Sequence, residues 1–230
     1  MGISADRFPK WRRWLDRILE EQLDPLLVSR HIHRQLSDCL SKYEGTSKSA
    51  ELAVWMDQGY VAFAATRIRC MIEQPRRQPK KLKQRRGWKS LSLVILLEKL
   101  KTNHAVFTRE RFRRMYRRAG VHERLADRDF DRIARKRGAI YIARARIERD
   151  IAALKRVAAP VKRLVDKVVA HTEEDRRRVG KCSYNDLDKA IDLLEETFCR
   201  YRSLIHGSCP DLLGSLKGLD VTNDLLKIWP

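Results

Sequence analysis

One histidine stands among residues whose types and spacing could carry chemistry. In the stretch 161–171, Val-Lys-Arg-Leu-Val-Asp-Lys-Val-Val-Ala-His, Arg163 and Lys167 precede His171 by eight and four residues. Residues four apart share a helical face, so the three side chains project together. Two neighbouring cations disfavour the imidazolium and leave a neutral imidazole available as a base near neutral pH. The same cations can clamp a phosphate while His171 takes the proton of a ribose 2′-hydroxyl, with Asp166 as orienting partner. That arrangement suits metal-independent RNA cleavage. A plainer reading stands beside it: His171 caps its helix C-terminus, and Arg163 and Lys167 pair with Asp166, Glu173 or Glu174.

The charge of the chain points to the same class of partner. The 230 residues hold 50 lysines and arginines against 30 carboxylates, a formal net charge of +20. Such an excess repels itself and suits a polyanion, RNA before DNA or an anionic membrane. Thirty-three of the cations are arginine, whose planar fork binds phosphate bidentately and stacks on bases. A high-GC genome enriches arginine as well. Two stretches concentrate the charge. Residues 74–86 hold Pro75, Pro79 and the cations Arg76, Arg77, Lys80, Lys81, Lys83, Arg85 and Arg86 with no acid, which reads as a phosphate-tracking arm or a solvated connector. Arg113, Arg114, Arg117 and Arg118 cover one to two helical turns with Tyr116 among them, a second place for phosphate contact without base specificity.

Other chemistries lack their residues. His31 and His33 flank Ile32 and face different ways on a helix, Glu20-Glu21 and Glu195-Glu196 lack an E-x-x-H spacing, and no P-loop, G-x-G-x-x-G or G-x-S-x-G occurs. No metal and no cofactor is expected. The five cysteines, Cys39, Cys70, Cys182, Cys199 and Cys209, contain no C-x-x-C and read as free thiols of a cytoplasmic protein. Neither a secretory leader nor a membrane span is legible.

The elements that must position these residues are helical. Glycine is scarce, no alternating run is bounded by hairpin turns, and apolar residues recur at spacings of three and four. Phe8, Trp11, Trp14, Leu15, Ile18, Leu19 and Leu23 trace one helical face, which Pro25 is expected to kink or break before Leu26. A second long helix from about Ser49 to Glu73 carries Leu52, Trp55, Met56, Tyr60, Phe63, Ile68 and Met71 inward. Leu91–Leu100 reads as a buried helix, Thr108 as the N-cap of a short one closed near Gly120, and Asp127–Lys136 as another. Helices from about Ile140 to Ala158 and from Leu187 to Ile205 follow, with Pro160 in the first turn of the helix that leads to His171. The expectation is an all-α bundle of six to eight helices in a single domain, 1–230: an N-terminal helical segment 1–48, a core 49–206 and a C-terminal extension 207–230.

Val165-Asp166-Lys167-Val168-Val169-Ala170-His171 resembles the R-D-K-x-x-A-H signature of HEPN-like proteins of the abortive-infection U branch. The order around it is similar to that branch: Trp88-Lys89-Ser90-Leu91-Ser92-Leu93-Val94-Ile95-Leu96-Leu97, then Thr108-Arg109-Glu110-Arg111-Phe112, then a last long helix at 185–205. The resemblance covers residues 55–204 and implies a helical bundle, often dimeric, tied to phage defence and toxin–antitoxin systems, with a cognate antitoxin or defence protein as partner. Many such proteins are metal-independent endoribonucleases that use an arginine and a histidine four to six residues apart. Here valine, Val165, occupies the arginine position, which leaves a non-catalytic RNA- or protein-binding module as the alternative. Arg117 with His122 and Arg200 with His206 also fit the spacing, as chance allows in so arginine-rich a chain. A DNA-binding regulator using the basic helices between Thr108 and Arg137 is a third, weaker reading.

Overall fold

The computed structural model describes residues 7–41, 47–73, 92–166, 182–212, 214–216 and 218–220. These residues are helical, with no β-strand among them. In chain order they form α1 (Arg7–Ile18), a π-helical turn (Leu19–Leu23), α2 (Asp24–Ser41), α3 (Ser47–Ile72), α4 (Leu93–Thr102), α5 (Arg109–Arg118), α6 (Glu123–Ala134), α7 (Arg144–Val157), α8 (Ala159–Leu164) and α9 (Tyr184–His206), with 3-10 turns at His104–Val106 and Gly214–Leu216. No helix among the described residues is long and apolar enough to cross a membrane. The chain divides into two compact units, one drawn from residues 1–18, 70–157 and 192–210, the other from 19–69, 158–191 and 211–230.

The first unit is built on α4, whose Leu93, Val94, Leu96, Leu97 and Leu100 are all buried. An apolar run this dense is covered from several sides, here by α7 and α1. Ser92 starts the helix: its hydroxyl accepts from the Ile95 N–H at 3.4 Å and donates to the Met71 carbonyl at 2.9 Å. Phe8, Trp11, Leu15 and Ile18 form the buried stripe of α1, and Phe8 and Trp11 pack on Phe107. Thr108 caps α5 by accepting from the Arg111 N–H at 3.2 Å. Gly120 then takes φ +71°, a left-handed conformation that costs glycine little, and turns the chain into α6. After α6 the backbone returns beside Phe107–Arg109: Arg109 N–H donates to the Ile140 carbonyl at 2.8 Å and Ile142 N–H to the Phe107 carbonyl at 3.1 Å. Residues 140–143, expected to open a helix, are occupied by this extended contact, so α7 begins at Arg144.

Two cysteines of this unit correct the expectation of free thiols. Cys199 and Cys209 form a disulfide, with Cα atoms 5.3 Å apart. Their ten-residue separation folds back because Gly207, at φ +89°, ends α9 and returns Cys209 past the last turns of that helix. Cys39, Cys70 and Cys182 are free.

In the second unit Pro25 does not break the helix. Proline has no N–H to give the carbonyl four residues back, which is that of Glu21. The chain widens into the π-helical turn there, and Arg67 from α3 donates to the Glu21 carbonyl at 2.7 Å in place of the missing N–H. The stripe therefore resumes in α2, where Leu26 and Leu27 are buried.

Helix α3 departs further from expectation. Tyr60, Ala64, Ile68 and Met71 are buried, but Trp55 is 71% exposed and Leu52 is exposed as well. Successive residues turn by about 100°, which places Leu52 and Trp55 on the side of α3 away from Ala64 and Ile68. The helix is apolar on two faces, and spacing alone does not say which one is covered.

Candidate nucleic-acid interface

Lys167 and His171 lie outside the described residues, as do Arg76, Arg77, Lys80, Lys81, Arg85 and Arg86 of the basic arm. The chain is described up to Asp166, five residues before His171. Pro160 sits in the first turn of α8, and Val161 and Val165 below it are buried. Val165 is 3% exposed, so the position where the HEPN-like signature that this stretch resembles has arginine faces the interior. Asp166 forms ion pairs with Lys162, one turn back, and with Arg69 of α3 at 2.9 Å. Arg163 is exposed.

The α5 cluster is fully described, and its arginines divide by face. Arg109, Arg113 and Arg117 form one stripe, and Glu123, Asp127 and Asp131 of α6 form its mirror in reverse order. Arg117 pairs with Glu123, Arg113 with Asp127 through two bonds of 2.8 Å, and Arg109 with Asp127 at 3.1 Å and with Asp131. These arginines hold the Glu123 and Asp127 carboxyls below the usual carboxylate range. Phe112 and Phe130 pack beneath the ladder, with ring centroids 5.6 Å apart. Arg113 and Arg117 are thus bound into the α5–α6 hairpin, while Arg114 turns outward with Glu110 at 3.9 Å.

An outward stripe on α6 escaped the sequence reading. Arg124, Arg128 and Arg132 recur every four residues on the face away from the hydrophobic core, and all three are exposed. Arg128 and Arg132 lie 3.7 and 3.4 Å from Asp129, with side chains 73% and 79% exposed. The four-residue spacing was a usable signal. The acids interspersed through α6 hid it, because linear order does not show that they face a different neighbour.

Arg200 and His206 engage different partners. Arg200 ion-pairs with Asp150 at 3.0 Å and with Glu196, in a buried network where Asp150 also accepts from Arg146 at 2.6 Å and from the Tyr201 hydroxyl at 2.9 Å. His206 lies 3.6 Å from Asp16, which accepts from Arg202 at 2.8 Å. Burial, with Arg202 and Arg12 close by, lowers the His206 pKa below its ordinary value. His122 caps α6, accepting from the Arg124 N–H at 3.1 Å, and Arg117 points to Glu123 instead.

The second unit carries a different surface, an open apolar groove of about 460 Å³ between α2 and α3, lined among others by Ile32, Leu36, Trp55 and Phe63. At its end His33 stacks on Tyr60 with centroids 4.1 Å apart and bonds Asp57 at 2.7 Å. His31 instead meets the Leu219 carbonyl at 3.0 Å, so the two histidines do diverge. Among the described residues no group of histidine, cysteine and carboxylate side chains could hold a metal ion. Compared with protein-family models, curated proteins and solved structures, the chain matches none.

Proposed function

We propose that this chain is an RNA-binding helical protein of HEPN-like kind that grips its RNA without cutting it. The observation that carries the reading is the excess of arginine beyond what folding uses. Residues 108–137 alone hold twelve cations and five carboxylates. The carboxylates are taken up within the α5–α6 pair, while Arg118, Arg124, Arg135, Lys136 and Arg137 stay exposed. Surplus surface cations attract a polyphosphate by releasing its counterions, without reference to sequence. RNA is the polyanion implied by the HEPN-like signature, which also supplies the setting of prokaryotic defence or a toxin–antitoxin pair.

The same signature supports a metal-independent endoribonuclease with His171 as base and Lys167 and Arg163 as clamps. Two observations favour grip over cleavage: Val165 is buried where arginine would stand, and Asp166 is engaged by Lys162 and Arg69. The test incubates wild type and His171→Ala with total RNA in EDTA. The grip reading expects intact RNA with both proteins and binding that weakens steeply with salt. Cleavage by wild type that His171→Ala abolishes would overturn it in favour of the nuclease.

A further inference from the structure

We infer that the outer face of the α5–α6 hairpin is the surface that grips RNA, and that it takes the phosphate backbone of a duplex. The inference rests on the RNA reading and adds the place and the form of the partner. The internal ladder of Arg109, Arg113 and Arg117 with Glu123, Asp127 and Asp131 neutralises one seam of the hairpin. Beside that seam lie two outward rows, Arg114 and Arg118 on α5 and Arg124, Arg128 and Arg132 on α6, all exposed. Along a helix, residues four apart are separated by about 6 Å, and packed helices lie about 8–10 Å apart. The result is a rigid plate with two roughly parallel cation rows, fixed in spacing by the ladder.

The rings of the hairpin decide between duplex and single strand. Sequence-tolerant binding of single strands uses exposed aromatic faces on which bases stack. Here Phe112 and Phe130 are buried, and Tyr116 is half-buried with its hydroxyl donated to Asp129 at 3.0 Å. Arginine forks without stacking rings suit a backbone presented at regular spacing, as a duplex presents it. Duplex RNA is recognised through shape and backbone contacts of this kind.

The experiment measures fluorescence anisotropy of the full chain with a labelled RNA duplex of about 16 base pairs, a span that double-stranded RNA modules cover. One of its strands alone and a DNA duplex of the same sequence serve as the other ligands. The variants are Arg124→Gln/Arg128→Gln/Arg132→Gln on α6 and, as a charge-matched control on exposed positions of α7, Arg149→Gln/Lys155→Gln/Arg156→Gln. Wild type is expected to bind the RNA duplex at least about tenfold tighter than the single strand. The α6 variant should lose at least about tenfold and flatten the salt slope by roughly two to three units, on the basis of about 0.9 per phosphate contact. The α7 variant should lose much less. Equal losses in the two variants, no loss in the α6 variant, or preference for the single strand would each overturn the inference while RNA binding itself stands. No binding of any RNA by wild type, or equal affinity for the DNA duplex, would overturn the RNA reading instead.

Discussion

Asp150 holds together the polar interior of the first unit. Its carboxylate receives Arg146, Arg200 and the Tyr201 hydroxyl, and the side chains of Arg146 and Asp150 are only 3% and 8% exposed. Burial, with Asp150 beside it, pushes the Tyr201 phenol well above its ordinary pKa. Removing the acid leaves two buried guanidinium groups facing each other, so Asp150→Ala is expected to cost about 3–5 kcal/mol, read from the urea midpoint. Tyr201→Phe loses one bond to a charged acceptor and should cost about 1.5–3 kcal/mol. His206 supplies a pH dependence. Its folded pKa is lowered below 6.5, by burial first and then Arg202 and Arg12, so the unfolded chain binds the proton more readily. Stability should therefore fall as pH drops below about 6.5 and level off once the folded histidine is also protonated. His206→Gln should remove that component from the pH series; an unchanged difference between pH 7.5 and 5.5 would refute the assignment.

At the scale of elements, the π-helical turn that leads into α2 depends on one distant side chain. Pro25 leaves the Glu21 carbonyl without its helical donor, and Arg67 provides one. Arg67→Ala should cost about 1 kcal/mol, and less in a Pro25→Ala background, where an alanine N–H can restore the bond. A double-mutant cycle with no coupling would show that the two act independently. The hairpin has a similar dependence on its turn. Gly120→Ala meets no side-chain clash but must hold φ +71°, so a loss of about 1 kcal/mol is expected in thermal or urea unfolding. The disulfide closes the return from α9, and reduction should lower the melting temperature of wild type but not of Cys199→Ser/Cys209→Ser.

For the whole molecule, the net charge of +20 sets the response to solvent. Self-repulsion opposes compaction, and salt screens it. The melting temperature should rise between about 20 and 300 mM salt, where the Debye length falls below roughly 10 Å. Polyanions should raise it further at low salt, because they bind the folded arrangement of arginines better than the unfolded chain. A melting temperature that falls with salt would mean that the internal ion pairs outweigh the repulsion between surface cations.

The helical character of the chain, the dense core of α4, the cap at Thr108 and the first-turn place of Pro160 were legible in the sequence because they depend on residues within one or two turns. The arginine excess was equally plain, since composition does not change on folding. Tertiary structure alone decided how that charge is distributed. The neighbour that each helical face meets is chosen by chain segments far apart, and only packing shows that Arg113 and Arg117 turn to the α6 acids. The exposed row Arg124, Arg128 and Arg132, the outward side of α3 at Trp55, the supply of a donor by Arg67 and the pairing of Cys199 with Cys209 all follow from the same fact. Periodicity reports that a face exists, whereas what covers that face is settled by the rest of the fold.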